Sequence, residues 1–215
     1  MDEMLLVCRA VAKASSSTFV VGDMPFLSYQ PSTSMAIKNA GRILKEGGAE
    51  AVKLEGGVEV KNQIKKLVSF GIPVMGHVGL TPQAINQLSG HRIQGKTIQS
   101  AQKIIDDALA VEDSGAFAVV LECIPQELAK VISERLTIPT IGIGAGPYCD
   151  GQVQVFHDIL GLIDGFNPKH SKKYLNLYDN IKKSLNKYSS DVANKKFPQK
   201  KHSSSCSSDI INKIK

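Results

Sequence analysis

The stretch "EAVKLEGG", Glu50 to Gly57, brings an apolar run to its end on a lysine and a glutamate two residues apart, followed by two glycines. In an extended strand residues i and i+2 share a face, so Lys53 and Glu55 project side by side while Val52 and Leu54 point the other way. A lone pair of this kind is explained by a salt-bridged strand end turning into solvent. This pair has company: Asp23 closes "TFVVGD", His77 closes "IPVMGH", Glu122 closes "AFAVVLE", and the glycines of "GIGAG" follow the next apolar run. Gathered at one pocket, three carboxylates, an ammonium and an imidazole suit proton removal from a carbon beside a carbonyl. Asp23 and Glu55 are hard oxygen donors of the kind Mg²⁺ takes, with water or substrate oxygens filling the remaining positions. A cation held there can chelate an α-keto acid through its carboxylate and keto oxygens, acidify the neighbouring C–H and stabilise the enolate; Lys53 adds positive charge. Glu122, between "AVVL" and "CIP", has a largely apolar setting that is expected to raise its pKa and suit it to proton transfer. The competing reading of Glu122 is a helix-capping carboxylate near "PQELAK".

The elements that must position these groups alternate along the chain. Short runs rich in β-branched residues, apolar on both faces as buried parallel strands are, are separated by segments of helical period: Ile37, Ala40 and Leu44; Ile64, Leu67 and Val68; Ile98, Ala101, Ile105 and Ala108; Leu128, Val131 and Ile132. "FGIP" and "LTIP" each end a helix with a breaker just before the next strand. The pattern predicts βα units and a parallel sheet, either open and doubly wound or closed as a (β/α)₈ barrel. The polar residues favour the barrel. All five stand at the C-terminal ends of successive strands, which in a barrel converge on one mouth. Five strands are clear, with a sixth expected near "VQVF".

Bulk properties narrow the function classes. At 215 residues and 42% hydrophobic the chain can bury one sizeable core. No apolar run approaches the ~20 residues of a membrane span, and the start, "MDEMLLVCRAVAKA", is acidic before it is apolar, unlike a secretory signal. Cys8, Cys123, Cys149 and Cys206 form no CxxC pair, which suits a reducing compartment and speaks against a zinc cage. The expected location is cytoplasmic or mitochondrial, not secreted. The net charge of +6 divides unevenly: residues 1–168 carry −3 and residues 169–215 carry +9. The expected organisation is a partial barrel over residues 1–188 and a Lys/Ser-rich, partly disordered tail over 189–215. That tail has no arginine and no interleaved aromatics, so neither a nucleic-acid partner nor a membrane is expected.

"GDMPF", "VKLEGG", "GHVGLTPQ", "RIQGKT", "ALAVED", "VLECIP", "IPTIGIGAG", "DGQVQVFHDILGL" and "FPQKKH" together resemble the ketopantoate hydroxymethyltransferase family, in its order and spacing, from Met1 to about His202. The resemblance implies a (β/α)₈ TIM-type barrel that binds Mg²⁺. It also implies transfer of a one-carbon unit from 5,10-methylenetetrahydrofolate to 3-methyl-2-oxobutanoate, giving 2-dehydropantoate on the route to pantothenate. By motif, Asp23 is implied as a metal and substrate ligand, Lys53 as a substrate contact, Glu55 as a metal-site carboxylate and Glu122 as the catalytic proton acceptor. His77 is implied as a substrate-pocket residue, with a buried, hydrogen-bonded histidine as the competing reading. His157 of "VFHDILG" is taken as structural, and a homo-oligomer is implied. Two departures stand out. Family members begin with two further βα units, the second ending in an Asp-Ser pair within "GDS", and no such motif occurs here; the barrel is expected to be incomplete at the N-terminus, with about six of eight units. His170 replaces a usual Phe, which affects packing only. Two alternatives follow: a catalytically silent fragment acting as an associating subunit, and a Mg²⁺-dependent carbon–carbon lyase of a related barrel type.

Overall fold

The computed structural model describes residues 1–84, 92–165 and 168–214. They form two compact units, 1–153 and 154–215. This partition follows packing, whereas the expected boundary after residue 188 follows the Lys/Ser-rich composition of the tail.

The first unit alternates helix and strand: α1 (Asp2–Ala14), β1 (Val21–Asp23), α2 (Thr33–Lys45), β2 (Ala51–Glu55), α3 (Lys61–Ser69), β3 (Val74–Gly79), α4 (Ile98–Asp113), β4 (Ala118–Glu122), α5 (Gln126–Arg135), β5 (Thr140–Ile143) and β6 (Gly151–Gln152). Helix ends follow from local chemistry. Ser32 accepts from the Met35 N–H to start α2, and Thr97 and Ser100 cap α4 reciprocally. The α3 helix stops at Ser69, before Gly71 at φ +78° and Pro73. The sixth strand lies at Gly151–Gln152, immediately before "VQVF".

All strand pairings are parallel, and the order in the sheet is the order in the chain, β1-β2-β3-β4-β5-β6. A doubly wound sheet reverses its order at a switch point. This one does not reverse, which excludes the open, doubly wound alternative and leaves a singly wound, curled half-barrel of six strands among the described residues.

The two faces of the sheet differ. Val52 and Leu54 of β2, Val74 and Val78 of β3, and Val119 and Leu121 of β4 join Ala40 and Ile43 of α2, Ile64 and Leu67 of α3, Ala108 and Val111 of α4, and Ile132 of α5 in one buried cluster. The helices pack close. A Cβ on Gly22 would come within 2.3 Å of Ile43, and one on Gly76 within 2.3 Å of Val111. Each large apolar side chain so buried contributes about 1.5–3 kcal/mol. The helical spacing read from sequence holds in the middle of α4 but not at its start: Ile98 is 92% exposed, and the buried face runs instead through Ile104, Ile105, Ala108 and Val111. Ile98 is the first residue of the helix, one place beyond its cap, and does not reach the sheet.

The second unit contains α6 (Phe156–Leu160), α7 (Leu177–Ala193) and α8 (Ser208–Lys213). Helix α7 buries none of its residues, and Ile181, Leu185, Tyr188 and Val192 form an exposed stripe at helical spacing. His157 is exposed, against the edge of the Phe156 ring, rather than set in the apolar surroundings expected for it. No helix among the described residues is long and apolar enough to cross a membrane.

Candidate active site

Because the helix-facing residues of β2, β3 and β4 are Leu54, Val78 and Leu121, the alternate positions Lys53, Glu55, His77 and Glu122 project from the opposite face. Asp23 shares that face, since its neighbour Gly22 lies against the helices. Register does the rest: Asp23 lies beside Lys53, Glu55 beside His77, and Gly79 beside Glu122. All five residues expected from the sequence therefore come together at one end of the sheet.

Their contacts form a continuous path. Lys53 Nζ lies 2.9 Å from Asp23 Oδ1, 3.2 Å from His77 Nδ1 and 3.9 Å from Glu55 Oε1. His77 Nε2 lies 3.1 Å from Glu122 Oε2. An ammonium can only donate, so Nδ1 of His77 is the acceptor and the neutral ring carries its proton on Nε2, toward Glu122. That last contact is close but poorly aligned for a hydrogen bond, a common state of catalytic pairs before substrate is bound. The histidine is buried and sits between Lys53 and Glu122 in the cluster.

Glu55 is a carboxyl altered by its surroundings. Burial pushes its pKa above the ordinary 4.5, against the opposing pull of His77, Lys53 and the Gln83 N–H. Its Oε2 accepts from Gln83 N at 3.0 Å, while Oε1 has, among the described residues, the Lys53 and His77 nitrogens at 3.9 and 3.8 Å. Asp23 Oδ1 is enclosed and has the Lys53 ion pair but no aligned hydrogen bond. Both carboxylates thus keep acceptor capacity facing the cluster, which fits a hard cation. Among the described residues no three His, Cys, Asp or Glu side chains are grouped to hold a metal. A cation on Asp23 and Glu55 would draw the rest of its shell from water and substrate, the habit of Mg²⁺.

A cavity of about 460 Å³ opens beside Glu55, lined also by Tyr29, Gln30, Gln83 and Phe26. A larger cleft of about 900 Å³, along the first half of α4, includes none of the five strand-end residues. Tyr29 and Gln83 are contributions the sequence reading missed. Each sits inside or just after a motif singled out for other residues, and nothing in their spacing shows where their polar tips go. Cys123, directly after Glu122, takes a positive φ of 49°, and burial beside Glu122 pushes its thiol up to about 11.

The family model for ketopantoate hydroxymethyltransferase matches residues 1–200. The chain belongs to that family. The 3-methyl-2-oxobutanoate hydroxymethyltransferase of Carboxydothermus hydrogenoformans is 52% identical over 214 residues, covering 100% of this chain and 78% of that protein. That of Clostridium botulinum is 50% identical over 214 residues with the same coverage, and that of Dehalococcoides mccartyi 49% identical over 215, covering 77% of that protein. Among solved structures, a putative phosphonomutase from Burkholderia cenocepacia superposes with a TM-score of 0.57 at 12% identity, over 88% of this chain and 77% of that one. Phosphonopyruvate hydrolase superposes with a TM-score of 0.50 at 16% identity, over 97% and 72%. These two share the fold alone. Four of the motifs that carry the family resemblance, "GDMPF", "VKLEGG", "GHVGLTPQ" and "VLECIP", hold the five clustered residues at the ends of β1, β2, β3 and β4.

Proposed function

We propose that the strand-end cluster is the active site of a ketopantoate hydroxymethyltransferase, which transfers a one-carbon unit from 5,10-methylenetetrahydrofolate to 3-methyl-2-oxobutanoate to form 2-dehydropantoate. The observation that carries this reading is the unbroken path Asp23, Lys53, His77, Glu122 with Glu55 at its centre. In this reading Glu122 takes the proton from C3 of the oxo acid, and the electron pair left on C3 forms the new bond to the folate's methylene carbon. Water supplies the hydroxyl oxygen and tetrahydrofolate leaves. Lys53 holds positive charge near the oxo acid, favouring negative charge on its keto oxygen as the proton departs. His77, its proton on Nε2, keeps Glu122 within reach as a base. Asp23 and Glu55 would hold Mg²⁺, which would supply Lewis acidity toward the oxygens of the oxo acid.

The finer architectural reading is that the six strands are the larger part of an eight-stranded barrel. Strands β1 and β6 are the edges of the described sheet, and edges of this kind invite pairing. Turnover and solubility are both expected to rise when two βα units are supplied ahead of Met1, fused or co-expressed. Self-association is supported by the exposed apolar stripe on α7.

The test is formation of 2-dehydropantoate from both substrates with Mg²⁺, followed by mass spectrometry with the two further βα units present. Product is expected only when the folate is included. Cleavage of a substrate C–C bond without folate would favour the lyase alternative, and no product at all would favour a subunit without catalysis of its own.

A further inference from the structure

Tyr29 lies outside every helix and strand and is nonetheless wholly buried. Its hydroxyl sits where β1 runs out. The last hydrogen bond from that side is Met24 N–H to Lys53 C=O, 3.0 Å, after which Pro25 and Phe26 carry the chain away. Backbone groups alternate sides along a strand: Lys53 C=O faces β1, and Gly56 N–H faces β3, bonding His77 C=O at 3.0 Å. The N–H and C=O of Glu55 therefore point to the position a further β1 residue would fill. One hydroxyl meets both. Tyr29 Oη accepts from Glu55 N–H at 3.0 Å and donates to Glu55 C=O at 2.9 Å.

Gln83 closes the same gap from the other side. Its Nε2 donates to Met24 C=O at 2.8 Å, its backbone N–H donates to Glu55 Oε2 at 3.0 Å, and its Oε1 lies 3.3 Å from Tyr29 Oη. Burial raises the pKa of the Tyr29 phenol, so the hydroxyl keeps the proton it donates. A phenylalanine would fill the same space, but it would leave a buried peptide N–H and C=O without partners, a costly arrangement.

We propose that Tyr29, with Gln83, is a positioning residue that completes β1 with a single hydroxyl and so fixes the backbone and carboxylate of Glu55 against Lys53 and His77. The inference rests on the reading of Glu55 as a site carboxylate, and its test has an arm that does not.

Amide hydrogen exchange is followed by NMR in the full chain, unsubstituted and with Tyr29→Phe. The Glu55 amide should exchange at least about ten-fold faster in the variant, while that of Gly56, bonded on the β3 side, stays within about two-fold. An unchanged Glu55 rate, or equal acceleration of both amides, would overturn the proposal. The second arm is kinetic, with the two further βα units present. Misplacing Glu55 should lower kcat about ten-fold or more and leave KM for 3-methyl-2-oxobutanoate within about three-fold. A rise in KM with kcat unchanged would also overturn it. Absence of activity in the unsubstituted protein would count against the proposed reaction and leave the exchange arm to decide on Tyr29. Should Tyr29→Phe fail to fold, the unsubstituted chain decides: protection of the Glu55 amide comparable with that of Gly56 supports the role, and exchange as fast as an exposed loop amide contradicts it.

Discussion

The two faces of β2 are one residue apart and obey different rules. On the helix side Val52 and Leu54 are wholly buried among α2, α3 and their neighbours, and apolar side chains of similar volume could replace them with modest loss. On the opposite side Lys53 and Glu55 are also largely withdrawn from water, yet each is held by particular atoms of particular partners. Burial of charge without such partners is costly, so the second face persists only as a set. The comparison separates what makes the sheet stand from what the sheet is for, and each face can be broken without the other.

The largest effect is expected on the charged face. Glu122→Gln preserves shape, so it should lower kcat by ~10²–10⁴, the usual scale for a lost general base, while the thermal midpoint stays nearly unchanged. A kcat within two-fold of the parent, measured with both substrates saturating, would remove Glu122 from the reaction. The opposite face should behave in reverse: Leu54→Ala should cost ~2–5 kcal/mol of stability by urea unfolding, with kcat per folded molecule little altered.

These two variants bear on what was legible beforehand. The alternation of Val52, Lys53, Leu54 and Glu55 fixed both faces in the sequence, because a strand's period of two leaves no other arrangement. The gathering of Asp23, Lys53, Glu55, His77 and Glu122 was legible for the same reason, repeated at four strand ends. The roles of Tyr29 and Gln83 were not, because their partners are backbone groups, those of Glu55 26 residues from Tyr29 and that of Met24 59 residues from Gln83, and backbone groups leave no mark on composition or period. Ile98 misled for a related reason. Periodicity identifies a helix face but not where along the helix the sheet stops.

A smaller effect sharpens the charged face itself. If Asp23 and Glu55 hold a cation together, Asp23→Ala and Glu55→Ala should each weaken Mg²⁺ binding about ten-fold or more by titration calorimetry, a change of ~1.4 kcal/mol. Unchanged affinity in both would place the cation elsewhere. The smallest effect concerns pH. Folded Glu55 holds its proton to higher pH than the unfolded chain does, chiefly through burial. Its contribution to stability is therefore fully present below about pH 4.5 and is lost as pH rises through the folded value. Glu55→Gln removes that loss, so the variant should gain in melting temperature relative to the parent as pH rises through the folded value. The advantage should shrink on acidification. A difference that is constant with pH would mean that the Glu55 carboxylate is not under strain from burial.

The central claim is that this cluster removes a proton from C3 of the oxo acid, with Glu122 as acceptor. Deuterium exchange at C3 of 3-methyl-2-oxobutanoate, followed by proton NMR in heavy water with Mg²⁺ and no folate, isolates that step. With two βα units supplied ahead of Met1, the protein should wash out the C3 proton at a rate proportional to its concentration, and Glu122→Gln should slow the exchange by ~10² or more. Exchange at the parental rate in Glu122→Gln would contradict the account.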